Sequence, residues 1–103
     1  MRKVIHYDER AIKELKEFSK EVQKDFVAVI EVLEREGRII PPEAKKISKN
    51  LFEVRVLRGG SYRGFYAYAR YEYVVILHFF QKKSQKTPIK NIKVAERRFR
   101  DYE

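Results

Sequence analysis

Arg55, Arg63 and the run Gln81-Lys82-Lys83-Ser84-Gln85-Lys86-Thr87-Pro88 are the residues of this chain best suited to chemistry. A guanidinium presents a planar fork that contacts two phosphate oxygens at once, and a lysine adds a compact point charge. The lysine run follows directly on Tyr73-Val74-Val75-Ile76-Leu77-His78-Phe79-Phe80, an unbroken apolar stretch. A buried strand of that kind holds the chain rigidly and sets the lysines at the mouth of a fixed scaffold, where a polyanion could be held. The two arginines lie on strand-like runs upstream. Together these residues read as a phosphate-handling surface on a small sheet.

The charge distribution agrees. The net charge is +9 over 103 residues. Residues 1–50 hold 12 Lys+Arg against 10 Asp+Glu, whereas residues 51–103 hold 12 against 5. The first half reads as solvated helix surface and the second as a source of positive field, which favours nucleic acid or an acidic protein partner. The apolar content of 44% suits one domain, residues 1–103, with a modest core. No cysteine is present, which excludes disulfides, a thiolate nucleophile and a Cys-based zinc site; His6 and His78 alone make no convincing metal site. No run approaches the roughly 18 apolar residues of a membrane span, and the first residues lack the apolar core of a signal peptide. The expectation is a cytoplasmic protein with no membrane association.

The elements that must position these residues are legible as periodicities. Lys3 to Tyr7 suits a short strand. Asp8 caps a helix carrying Ala11, Leu15 and Phe18, and Ser19 caps a second with Val22, Phe26, Val29, Ile30 and Leu33 on one stripe. Gly37 closes it. Pro41-Pro42 starts an irregular connection. Leu51 to Leu57 alternates, with Phe52, Val54 and Val56 on one face and Glu53 and Arg55 on the other. Ser61 to Arg70 forms the second arm of a hairpin. Tyr73 to Phe80 follows a tight connection at Arg70-Tyr71-Glu72; apolar on both faces, it is expected as the central strand of the sheet. Pro88 opens a final helix through about Tyr102, with Ile92, Ala95 and Phe99 along one side. The hairpin register decides where Arg63 points. A two-residue turn at Gly59-Gly60 puts it on the helix-packed face. A three-residue turn at Arg58-Gly59-Gly60, with a glycine in the left-handed position, sets it opposite Arg55 on the other face. Burying an unpaired guanidinium is costly, which selects the second register. The resulting repulsion is relieved if an anion sits between the arginines or if Glu53 screens them.

On Leu51-Phe52-Glu53-Val54-Arg55, Tyr62-Arg63-Gly64-Phe65-Tyr66, the strand Val74 to Phe80 and the lysine run, the chain resembles the RelE/ParE superfamily of toxins from type II toxin–antitoxin pairs. It is most similar to the phage-derived, HigB-like branch, and the resemblance spans nearly the whole chain. It implies an α+β fold in which a helix hairpin packs on a small, twisted, mostly antiparallel sheet, with a C-terminal helix. It implies an endoribonuclease that cleaves mRNA on the ribosome and blocks translation, needs neither metal nor cofactor, and is silenced by a cognate antitoxin protein. The alternatives are a ParE-like inhibitor of DNA gyrase and a non-catalytic basic module that binds RNA or an acidic partner.

Cleavage of the RelE type uses the 2′-hydroxyl of the RNA as nucleophile, and fixed cations stabilise the charged phosphorus transition state. Arg63 falls where the RelE pattern has its phosphate-stabilising arginine, Arg55 where it has a basic residue on the preceding strand, and Lys82 or Lys83 where one follows the last strand. Two positions depart from the pattern: Glu53 replaces a basic residue, as is usual in the HigB-like branch, and Ile89 or a neighbour falls where RelE has a tyrosine. The general base is therefore open. Glu53 is a candidate if desolvation raises its pKa, and His78 is a candidate acid if its side chain reaches the free face. Arg58, Tyr62, Lys82 and Lys86 are candidate RNA contacts, and Arg63, Arg55, Glu53, Lys83 and His78 candidate catalytic groups. Each has a plain structural counterpart: a surface ion pair for Glu53, a core histidine for His78, a solvated loop for the lysines.

Overall fold

A computed structural model describes residues 2–39, 41, 43–70, 72–86 and 88–103. Pro42 of the expected connection, Tyr71 of the tight turn and Thr87 of the lysine run lie outside them. The elements in chain order are β1 (Val4–Tyr7), α1 (Glu9–Lys16), α2 (Lys20–Glu36), β2 (Ala44–Lys46), β3 (Phe52–Leu57), β4 (Ser61–Tyr68), β5 (Tyr73–Lys82) and α3 (Ile89–Phe99), followed by a 3₁₀ turn, Arg100–Tyr102. The sheet order is β1-β5-β4-β3-β2, so β5 is paired on both sides as an interior strand while β4 takes the middle position. The β1–β5 pair is parallel and the other three are antiparallel.

The caps form as their residue types dictate. The Asp8 carboxylate accepts from the backbone N–H of Arg10 at 2.8 Å, and Ser19 Oγ accepts from that of Val22 at 3.2 Å. Gly37, at φ 83°, ends α2. The hairpin α1–α2 buries Ala11, Leu15, Val22, Phe26, Ile30 and Leu33 against Val54, Val56, Tyr66, Val74, Ile76 and Phe79 on one face of the sheet. Gly64 makes this packing possible. A Cβ there would stand 2.9 Å from the Phe79 ring and 3.2 Å from a Val54 methyl.

The opposite face is not free, as the alternation alone suggested. Helix α3 covers its lower half, burying Ala95 and Phe99 against Leu51, Phe65, Ala67, Val75, Leu77 and Phe80. The reason lies in β5, whose doubly apolar sequence leaves a second hydrophobic face to cover. Strand β2 has no counterpart among the sequence expectations. At three residues it is too short to show a periodicity, and it forms because Ala44, Lys45 and Lys46 pair with Val54, Glu53 and Phe52.

The hairpin register is the expected one: Leu57 faces Ser61 across the turn and Arg55 faces Arg63. Gly59 holds the turn at φ 64°, a conformation that costs a residue with a Cβ. Between β4 and β5 a bulge shifts the register, so that Phe65 faces His78 and Tyr66 faces Ile76.

Candidate phosphate-binding site

The uncovered half of the α3-side face carries the charged residues. Along β3, β4 and β5 the register sets Arg55 against Arg63 and Arg63 against Phe80, with Ser61 against Lys82 two pairs further on. Lys45 enters from β2 as the partner of Glu53. The basic side chains therefore run obliquely across four strands, from Lys45 through Arg55 and Arg63 to Lys82.

Arg63 is the fixed point of this array. It is 7% exposed and Glu53 only 2%. Arg63 Nε lies 3.2 Å from Glu53 Oε1 and makes no hydrogen bond among the described residues, so the contact is coulombic. Arg63 Nη1 donates to Ser61 Oγ and, at 3.3 Å, to the Tyr62 carbonyl. The like-charge opposition of Arg55 and Arg63 is thus offset by a buried carboxylate rather than left to solvent.

Two clefts meet at Arg63. One, about 480 Å³ and open, is lined by Ser61, Arg63, Lys82, Lys83, Ser84 and Gln85. The other, about 50 Å³, is lined by Glu43, Ala44, Lys45, Glu53, Arg55 and Arg63. Partial burial pushes the Lys82 ammonium below its ordinary pKa. Arg63, Lys45 and Arg55 push the same way, and Glu53 opposes them. Lys82 thus senses the whole array.

The structure gathers Arg63, Arg55, Glu53, Lys82 and Lys83 at these two clefts. Lys86 is exposed beyond them, its carbonyl accepting from Ser84 Oγ at 2.8 Å. Arg58 and Tyr62 go elsewhere. The Arg58 guanidinium pairs with Asp25 of α2 at 2.6 Å. The Tyr62 ring packs edge-on against Phe18, centroids 4.9 Å apart, on the helix-hairpin side; neighbouring residues of a strand face opposite ways, so Tyr62 cannot share the face of Arg63. His78 is 7% exposed, with its ring stacked on Phe80. Its Nδ1 donates to Glu14 Oε1 at 2.9 Å and its Nε2 lies 2.7 Å from Asn91 Oδ1. Lys45 is the residue that sequence reasoning missed; only a pairing partner for Glu53 reveals its face. Among the described residues no group of His, Asp and Glu side chains could hold a metal ion, and no helix is long and apolar enough to cross a membrane.

A sequence model of the phage-derived Gp49-like proteins matches residues 13–100. No curated protein sequence matches significantly. Among solved structures, a mutant of Escherichia coli toxin RelE in the free state superposes with TM-score 0.73 at 18% identity, covering 95% of this chain and 98% of that one. The isolated E. coli RelE toxin superposes with TM-score 0.62 at 20% identity, covering 88% and 96%. A chain of the toxin–antitoxin complex RelBE2 from Mycobacterium tuberculosis gives 0.61 at 20% identity, covering 80% and 100%. The shared architecture is the open, mostly antiparallel sheet with a helix hairpin on one face and a C-terminal helix on the other. The chain belongs to the phage-derived Gp49-like family and has the fold of the RelE toxins.

Proposed function

We propose that this protein is the toxin of a type II toxin–antitoxin pair and cleaves mRNA on the ribosome. The observation that carries the reading is Arg63, a guanidinium immobilised by Glu53 and Ser61 where two cation-lined clefts meet. A donor fixed before the reaction loses no orientational freedom as charge develops on the phosphorus oxygens, which is where electrostatic catalysis gains most. In this reading the RNA 2′-hydroxyl loses its proton to water and attacks the adjacent phosphorus, and the P–O5′ bond breaks to leave a 2′,3′-cyclic phosphate and a free 5′-hydroxyl. Arg63 holds the non-bridging oxygens and Arg55 and Lys45 hold the neighbouring phosphate. Lys82, more acidic than an ordinary lysine, protonates the departing 5′-oxygen, with Lys83 beside it. Glu53 orients Arg63, and Lys86 extends the positive field. An antitoxin partner is supported by the likeness to a chain of a toxin–antitoxin complex, and the net charge of +9 favours an acidic covering segment.

The test is cleavage of ribosome-bound mRNA by the purified protein, with the new 5′ ends mapped. Cuts confined to ribosome-occupied codons support the proposal. An intact message together with loss of gyrase supercoiling activity would replace it with a ParE-like reading.

A further inference from the structure

The strand that carries the lysines has an open flank, and side chains close it. β1 pairs with β5 only over Tyr73 to Ile76. Past that point the Glu14 carboxylate accepts from the Phe79 backbone N–H at 3.1 Å, and Arg98 Nη1 donates to the Leu77 carbonyl at 2.8 Å. Glu14 of α1 and Arg98 of α3 hold each other through two parallel hydrogen bonds of 3.0 and 2.9 Å. They satisfy the backbone groups that a longer β1 would have satisfied. His78 sits in the same cluster, bonded on one side to Glu14 and on the other to Asn91 in the first turn of α3. Asn91 follows the lysine loop in sequence and His78 precedes it. The 2.7 Å contact between them therefore ties the two stems of the loop together at its base.

We propose that Glu14, His78, Asn91 and Arg98 form a clasp that fixes the loop Lys83–Lys86 in the geometry needed for phosphate transfer, which makes His78 a positioning residue rather than a proton donor. The inference rests on the nuclease reading for its effect on rate, but not for its effect on the loop. Three features support it. All four side chains are wholly or partly buried beside the strand that ends at Lys82. Both ring nitrogens of His78 are engaged, so neither faces substrate. The clasp joins α1 to β5 and α3, the two elements that flank the loop. A loop anchored at one stem only would sample many positions, and a displacement of about 1 Å from reactive geometry can cost on the order of 100-fold in rate.

The test uses Asn91, because truncating the buried His78 threatens folding. In Asn91→Ala the backbone order parameters of Lys83–Lys86, measured by NMR relaxation, should fall from about 0.85 toward 0.6. In the same variant kcat on saturating ribosomes should fall roughly 10- to 100-fold, while KM changes less than about threefold. Asn91→Asp, which keeps an oxygen where Asn91 Oδ1 lies 2.7 Å from His78 Nε2, should restore both. Unchanged loop order in Asn91→Ala overturns the clasp. A disordered loop with unchanged kcat overturns its role in positioning, as does failure of Asn91→Asp to restore a loop lost in Asn91→Ala. A wild type that cuts no mRNA overturns the nuclease reading, and the loop order then decides the clasp by itself.

Discussion

Arg63 and Glu53 constrain one another, and that changes what a substitution at either can report. Arg63→Ala leaves a carboxylate that is 2% exposed and removes the guanidinium 3.2 Å from it. Breaking a buried pair from one side costs roughly 3–5 kcal/mol, and the nearby positive field of Arg55 and Lys82 places this case at about 3. Lost activity in Arg63→Ala would therefore mix catalysis with stability. Arg63→Lys separates them. It keeps the charge beside Glu53 and loses the fork, so cleavage should fall about 100- to 1000-fold while the urea midpoint moves little. Cleavage within about threefold of wild type by the lysine variant would remove bidentate phosphate contact from the mechanism. Lys45 calls for a different measurement because it is exposed and lies at the far end of the array. If it contacts a phosphate, Lys45→Ala should reduce the slope of log K against log salt for single-stranded RNA by about 0.7. An unchanged slope would confine the path of the RNA to the lysine-loop side of Arg63.

At the scale of elements, α1 is held by carboxylates whose pKa values have moved. Burial alone would push the Asp8 carboxyl up, but hydrogen bonds from Arg10 and Tyr102 outweigh it and hold Asp8 well below its ordinary 3.8. Glu14 behaves likewise: burial opposes, and His78 and Arg98 together hold it below its ordinary 4.5. A carboxyl whose folded pKa lies below its unfolded one contributes its full stability above the unfolded value and loses it as pH falls through that value toward the folded one. Unfolding free energy should thus hold level down to about pH 5 and decline below it as the two groups protonate in the unfolded chain. Asp8→Asn isolates the charge, since asparagine still caps the helix. It should lower stability near neutrality and make the acid decline shallower; an unchanged decline, measured by urea titration at several pH values, would assign the acid sensitivity elsewhere. The sheet gives a second test at this scale. Gly64→Ala drives a methyl into Phe79 and Val54, beneath Phe26, and overpacking of that kind costs about 1–3 kcal/mol. A variant as stable as wild type would show that the Phe79 ring can move aside.

As a whole molecule the protein separates support from chemistry. One face of the sheet is given to the helix hairpin and half of the other to α3, which leaves the charged quarter as the exposed field source. A partner that silences the proposed activity must neutralise that quarter. Expression from the native operon should therefore yield the chain with a small acidic or amphipathic companion, and purification of the chain alone from an operon without a small neighbouring gene would count against the toxin–antitoxin reading. Much of this organisation follows from local pattern. The caps at Asp8 and Ser19, the stripe Val22 to Leu33, the turn at Gly59 and the doubly apolar β5 rest on spacings of a few residues, and the Arg55–Arg63 register follows from the cost of burying a guanidinium on the wrong face. Other features depend on groups far apart in sequence. Burial of Glu53 with Arg63, the entry of Lys45 through a strand too short to show a period, the capture of Arg58 by Asp25 and the seat of His78 between Glu14 and Asn91 each join residues that no periodicity links. Periodicity assigns a side chain to a face; only the packed structure decides what else occupies that face, and so whether a charge there meets solvent, a counter-charge or a substrate.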